Sequence, residues 1–139
     1  MRAKLGVAAA AVLAAVVVLV PGTASSSQSA ATIKLTIVEW DILPVATTKA
    51  PPGKVTFVVR NAGKLTHEFV VIKTGKLAGN LAPPGEAEAS EKGAVGEIEE
   101  LKPGQVKRVT LTLTKGHHAL ICNLPGHYMR GQFLDFYVR

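Results

Sequence analysis

Hydrophobic and polar residues alternate strictly in three stretches of the chain. Ile33, Leu35 and Ile37 are interleaved with Thr32, Lys34 and Thr36; Val55, Phe57 and Val59 follow Lys54, Thr56 and precede Arg60; Val109, Leu111 and Leu113 are interleaved with Thr110, Thr112 and Thr114. A period of two places one face of a strand in a core and the other in water. Short apolar runs at 69–72 and 119–121 suit central strands, and Leu134, Phe136 and Val138 form a last strand. Turn-forming sequences separate them: Pro51-Pro-Gly53, Asn61-Ala-Gly63, Lys102-Pro-Gly-Gln105 and Lys115-Gly116. Strands at this spacing, with no amphipathic helix between them, predict an all-β fold, an antiparallel Greek-key β-sandwich. The segment 73–96 interrupts the pattern with Pro83-Pro84, several glycines and a group of glutamates. An insert of that length is unusual in a compact domain; it reads as a surface excursion without chemistry, with room for a short helix from Glu86 to Glu91.

The first residues follow a different pattern. Met1-Arg-Ala-Lys4 is a short basic start, 5–20 is an unbroken run of apolar residues and glycine, and Pro21-Gly-Thr-Ala24 supplies small residues at a cleavage point. This is the layout of a secretory signal peptide. The run falls a little short of the roughly 17–25 residues that cross a bilayer, so an uncleaved anchor is the competing reading. Residues 1–24 are thus assigned to a signal peptide or N-terminal anchor, the small polar stretch 25–31 to a flexible linker, and 32–139 to one domain of ordinary size. Either reading of the N-terminus puts that domain outside the cytoplasm: periplasmic, extracellular or anchored facing outward. The N-terminal segment also offers a means of membrane-surface association.

The chain has a formal charge of +6, and setting Arg2 and Lys4 aside leaves about +4 on the domain. Its lysines and arginines are scattered and are not interleaved with aromatic residues, so they describe a solvated basic surface and no nucleic-acid partner. Such a surface can steer an acidic protein partner or favour anionic lipid.

There is a single cysteine among the 139 residues. An exported chain with one cysteine has no intramolecular disulfide, which leaves a free thiol, a bond to another chain or a metal ligand. Cys122 opens the run Cys122-Asn-Leu-Pro-Gly-His127-Tyr-Met-Arg-Gly-Gln132, and His67 lies upstream in Asn61-Ala-Gly-Lys-Leu-Thr-His67-Glu-Phe. One soft thiolate and two imidazoles held by a β domain make the trigonal His₂Cys set suited to blue copper. Taken singly, His67 is an ordinary turn histidine and Cys122 an inert buried thiol; it is the combination that points to a metal. Four residues between Cys122 and His127, and no second cysteine, do not fit a CxxC thiolate site.

From about Pro52 onward the chain resembles the cupredoxins, and among them the small exported copper proteins of the sulfocyanin and auracyanin type. The resemblance is carried by Pro52-Gly-Lys-Val-Thr-Phe-Val-Val-Arg-Asn-Ala-Gly63, Thr66-His-Glu-Phe-Val-Val-Ile72, Leu101-Lys-Pro-Gly-Gln105 and Cys122-Asn-Leu-Pro-Gly-His-Tyr128, in that order. It implies one type 1 copper ion, with His67, Cys122 and His127 as ligands. The family places an axial methionine five residues after the loop histidine, where this chain has Gln132. Gln132 shares strand parity with Leu134 and Phe136, and glutamine is an accepted axial ligand. Gln132 is therefore the expected axial ligand, with Met129 the alternative. The resemblance also gives Asn61 a part in tying the ligand loops together by hydrogen bonds.

The adjacent His117 and His118 point to opposite faces of a strand and cannot chelate one ion together. His118, in parity with Leu120 and Cys122, is expected in the core or near the site, and His117 at the surface. The function implied is an exported one-electron carrier cycling between Cu(II) and Cu(I), with redox partners docking near Leu124, Pro125 and Tyr128. The alternative is a copper-binding protein for delivery, sequestration or sensing. An enzyme is not expected: a copper oxidase or nitrite reductase needs further copper sites, and the two-copper centre of respiratory oxidases needs two cysteines.

Overall fold

The computed structural model describes residues 29–139; the signal or anchor assigned to 1–24, and most of the linker, lie outside the described residues. Among the described residues nine strands form two packed sheets. The first has the order β2-β1-β4-β7, made of β1 (Ala31–Val38), β2 (Asp41–Pro44), β4 (Gly53–Asn61) and β7 (Val106–Leu113). The second has the order β3-β9-β8-β5-β6, made of β3 (Lys49–Ala50), β5 (His67–Lys73), β6 (Ala94–Leu101), β8 (Gly116–Ile121) and β9 (Phe133–Val138). Two short 3₁₀ turns, Ala78–Asn80 and Tyr128–Arg130, are the remaining regular elements. Among the described residues no helix is long and apolar enough to cross a membrane.

The alternating positions do what their period requires. Ile33, Leu35 and Ile37 of β1 and Val55, Phe57 and Val59 of β4 are buried, while Lys34 and Arg60 face out. They meet Phe69, Val71, Leu120 and Phe136 of the second sheet in one core. Phe57 joins the layers, with its ring 5.3 Å from that of Phe69 and 5.4 Å from that of Phe136. Burial of each such ring stabilises the sandwich by about 1.5–3 kcal/mol.

Most neighbours run antiparallel, as the β-sandwich reading expects, but β1–β4 and β3–β9 are parallel. The reason is the connection. The hairpin β1–β2 leads to β3 in the other sheet before the chain returns as β4, so β1 and β4 enter their sheet from the same end.

The segment 73–96 forms no helix over Glu86–Glu91; bends and irregular chain occupy that stretch, and the chain then makes β6, an edge strand. Only Ile98 and Leu101 of β6 are buried, which is why its sequence lacks a clean alternation. The excursion is also a cover. Ala78, Leu81 and Ala89 pack on Val70, Ile72, Ala119 and Ile121, forming a second core on the outer face of β5 and β8. This explains why the runs at 69–72 and 119–121 are apolar on both faces.

Antiparallel pairing of β5 with β8, and of β8 with β9, brings the start of β5, the end of β8 and the start of β9 to one end of the sandwich. His67, Cys122 and Gln132 are at those three places.

Candidate metal centre

Cys122 follows β8 directly, and its amide donates to the Gln132 carbonyl at 3.0 Å, closing a loop that carries His127 between them. The loop folds back through two glycines in the left-handed region, Gly126 (φ 76°) and Gly131 (φ 99°), the second capping the Tyr128–Arg130 turn. Residues with a Cβ adopt that conformation at a cost. Gly126 follows Pro125, so the turn expected there is formed.

His67, Cys122 and His127 come together as a buried group whose nitrogen and sulfur atoms all lie within 4.8 Å of one another. The Cys122 Sγ is 3.3 Å from His127 Nδ1 and 3.9 Å from His67 Nδ1, and the two Nδ1 atoms are 3.2 Å apart. Gln132, fully buried, brings its Oε1 to 3.1 Å from His127 Nδ1. Met129 is 67% exposed and points away into solvent. Three electron-pair donors thus converge, with the Gln132 oxygen beside one of them. Bonds of about 2.0–2.3 Å to a central ion in a trigonal plane would hold such donor atoms about 3.5–4 Å apart, a slight widening of the 3.2–3.9 Å separations here.

The surroundings disfavour charge on Cys122 and His127. Burial pushes the Cys122 thiol up, opposed by the Glu68 amide that donates to the sulfur at 3.4 Å. Burial, together with the facing His67 ring, pushes His127 down. A histidine disfavoured in its charged form and a thiol that gives up its proton to an arriving ion suit a soft cation.

Asn61 is buried and its side-chain amide donates to the carbonyls of Leu65 and Leu101, both at 2.7 Å, while its Oδ1 accepts from the Gly63 amide at 2.8 Å. It fixes the 62–66 loop before His67 to the end of β6. The tie between the two ligand loops, expected of Asn61, is made instead by Glu68, whose carboxylate accepts from the Asn123 amide at 2.7 Å. The reason is position: Glu68 follows His67 along β5 beside Cys122 and Asn123. Asn123 in turn bonds Ala89 in both directions, so the 73–96 excursion buttresses the cysteine loop.

The last residue of β1, Val38, and the Glu39-Trp40 turn after it contact His67, His127 and Gln132, and no alternation of apolar and polar residues pointed there. Val38 accepts from Gln132 Nε2 at 2.6 Å, Glu39 Oε1 lies 3.3 Å from His67 Nε2, and the Trp40 ring meets the His127 ring edge-on at 5.0 Å. Arg130 lies over the Trp40 ring, 4.4 Å from its centre. Glu39 also accepts from the amides of Lys64 and Leu65 at 2.7 and 2.8 Å. These donors, Leu65 foremost, hold its carboxyl down at about 2. The one signal available was that the chain's single tryptophan sits beside an acid in a two-residue turn.

His118 is fully buried in the core with neither ring nitrogen hydrogen-bonded, and burial lowers its pKa. His117 is half-buried, bonded to the Thr74 carbonyl and, at 2.7 Å, to Asp135. Their opposite orientations follow the strand period. Tyr128 departs from expectation: only 3% exposed, it accepts from the Leu81 amide at 2.9 Å and donates to the Ala78 carbonyl at 2.7 Å. A phenol so bonded braces the excursion and offers no docking surface, whereas Leu124 is half-buried and Pro125 exposed.

Residues 9–134 match the family described as cupredoxin-like domain. The chain belongs to that family. No curated protein matches it by sequence. Among solved structures this cupredoxin is similar to reduced auracyanin from Roseiflexus castenholzii, at 21% identity over 81% of this chain and 99% of that one, with a TM-score of 0.59. It is similar also to auracyanin A, a blue copper protein of Chloroflexus aurantiacus, at 22% identity over 80% and 100% of the two chains (TM-score 0.58). Rusticyanin from Thiobacillus ferrooxidans is 18% identical over 80% and 79% (TM-score 0.56). The likeness confirms the cupredoxin fold.

Proposed function

We propose that this cupredoxin is an exported one-electron carrier, with one type 1 copper ion held by His67, Cys122 and His127 and by Gln132 as axial ligand. The convergence of two Nδ1 atoms and one sulfur in a buried pocket carries the reading. Copper would supply the redox couple, taking up and giving back one electron with no bond made or broken in a substrate. The protein supplies a rigid donor set, so that little has to move between oxidation states. His67 and Cys122 are anchored at strand ends, and Val38 and the Glu39-Trp40 turn fix the rings and the glutamine amide from outside.

Burial also favours electron transfer over delivery. Handing over a metal needs ligands that a partner can reach, and His67, Cys122 and Gln132 are fully buried. His127, 9% exposed, comes nearest the surface, and a redox partner docking at Leu124 and Pro125 would approach it. Export is supported by the N-terminal sequence pattern. The deciding experiment is the visible and electron paramagnetic resonance spectrum of copper-loaded protein. An intense thiolate-to-copper band with narrow copper hyperfine splitting is expected; a weak, ordinary copper spectrum would favour storage or delivery.

A further inference from the structure

We propose that Glu39 is a positioning residue for the copper ligand His67: its carboxylate holds the His67 proton on Nε2, aims the Nδ1 lone pair into the site, and favours Cu(II). This inference rests on the copper reading above.

An ionised carboxylate only accepts hydrogen bonds. Glu39 Oε1 accepts from the Lys64 and Leu65 amides and stands 3.3 Å from His67 Nε2, so Nε2 must be the protonated nitrogen. The other nitrogen, Nδ1, is then a bare electron-pair donor, and it is the one that faces Cys122 and His127. Metal-binding histidines commonly donate their remote N–H to a carboxylate, which fixes the ring and makes it more basic. A negative charge on the far side of the ring also favours the more positive copper ion.

Gly63 provides an independent observation. A Cβ there would run into the Glu39 carboxylate oxygens. Asn61 holds Gly63 in place through its amide, so the loop before His67 is shaped around this carboxylate. His67 therefore receives both its backbone position and its tautomer from the same contact.

The test uses the full chain and two readouts. In the metal-free protein, long-range ¹H–¹⁵N spectra should show His67 with its proton on Nε2 in the wild type and in Glu39→Gln, and a mixture of tautomers in Glu39→Ala. A wild-type His67 protonated on Nδ1 overturns the proposal. In the copper-loaded protein, Glu39→Ala should weaken Cu(II) relative to Cu(I) binding about tenfold, within the range usual for such outer contacts, which raises the reduction potential by about 59 mV. Gly63→Ala, which displaces the carboxylate, should shift the potential the same way. Glu39→Gln keeps an acceptor for both loop amides and so guards against simple misfolding; it should give a smaller rise. Asp41→Asn removes a carboxylate bonded to the Ile42 amide and should leave the potential unchanged. Equal shifts in Asp41→Asn and Glu39→Gln, or none in any Glu39 variant, overturn the proposal. The thiolate-to-copper band should persist in all of these variants. Its absence from the wild type would instead refute the electron-carrier reading, and the metal-free spectra would still decide the role of Glu39.

Discussion

Gln132 donates through Nε2 to the Val38 carbonyl at 2.6 Å, and this bond turns its Oε1 toward His127 Nδ1. The amide cannot be rotated without losing the Val38 partner, because a carbonyl does not donate. An oxygen therefore faces His127, and as the axial ligand proposed above it would be a harder donor than a thioether, favouring Cu(II) over Cu(I). Gln132→Met should raise the reduction potential; at about 59 mV per roughly 1.4 kcal/mol for one electron, even a weak axial contact gives a shift visible by voltammetry. Met129→Leu is the control. Since Met129 is 67% exposed, that change should leave the potential where it was. A potential that responds to Met129→Leu and ignores Gln132→Met would transfer the axial role to Met129.

Cys122→Ser should abolish the visible charge-transfer band and keep the fold. The colour arises from sulfur-to-copper charge transfer, while the sandwich is held by Phe57, Phe69, Phe136 and the aliphatic residues around them. Serine retains the backbone bond to Gln132, and its hydroxyl can accept from the Glu68 amide in place of sulfur. Circular dichroism should be unchanged as the absorption disappears; persistent colour would mean that another residue supplies the sulfur.

The strands with period-two alternation were legible because one-sided burial writes itself into sequence: Ile33, Leu35, Ile37 and Val55, Phe57, Val59 are buried in the structure as their spacing requires. The donor set was legible because cysteine and histidine are rare and their chemistry is specific. What stayed hidden depends on contacts between distant parts of the chain. Glu39 reaches His67 across a separation of 28 residues and Val38 reaches Gln132 across 94, and neither residue type signals a site by itself. Strand β6 escaped because an edge strand buries little, and Tyr128 because a 3₁₀ turn directs its ring inward where a loop suggested outward. The parallel pairing of β1 with β4 follows from the route of the chain between sheets, which alternation does not encode.

Leu124→Lys should slow electron exchange with the physiological partner and leave the copper spectrum intact. Leu124 and Pro125 lie on the loop that leads to His127, the least buried of the three convergent ligands. A lysine there places a charge that must be desolvated on docking. With Tyr128 tied inward to Leu81 and Ala78, Tyr128→Phe should act differently, loosening the 73–96 excursion and lowering stability by about 1–3 kcal/mol. Unaltered transfer rates in Leu124→Lys would move the docking face elsewhere.

His118 should make the metal-free protein acid-labile. The ring is fully buried and neither nitrogen has a well-formed hydrogen bond; burial, opposed by the Gly116 backbone and aided by the nearby Lys73 and His117, lowers its pKa below the ordinary histidine value of 6.5. The unfolded chain, with the ordinary pKa, then binds a proton that the folded protein refuses. Stability is accordingly full above about pH 6.5 and falls as the pH drops through the window down to the folded pKa, with a slope of up to about 1.4 kcal/mol per pH unit. His118→Leu removes the titration and fills the same apolar space between Phe136 and Leu120. Urea denaturation of the metal-free protein at a series of pH values should therefore give a flatter curve for His118→Leu than for the wild type, the two diverging below about pH 6.5. Other groups that titrate in both proteins cancel in this difference. Parallel curves would show that protonation of His118 is accommodated in the folded state and that its burial has no bearing on acid stability.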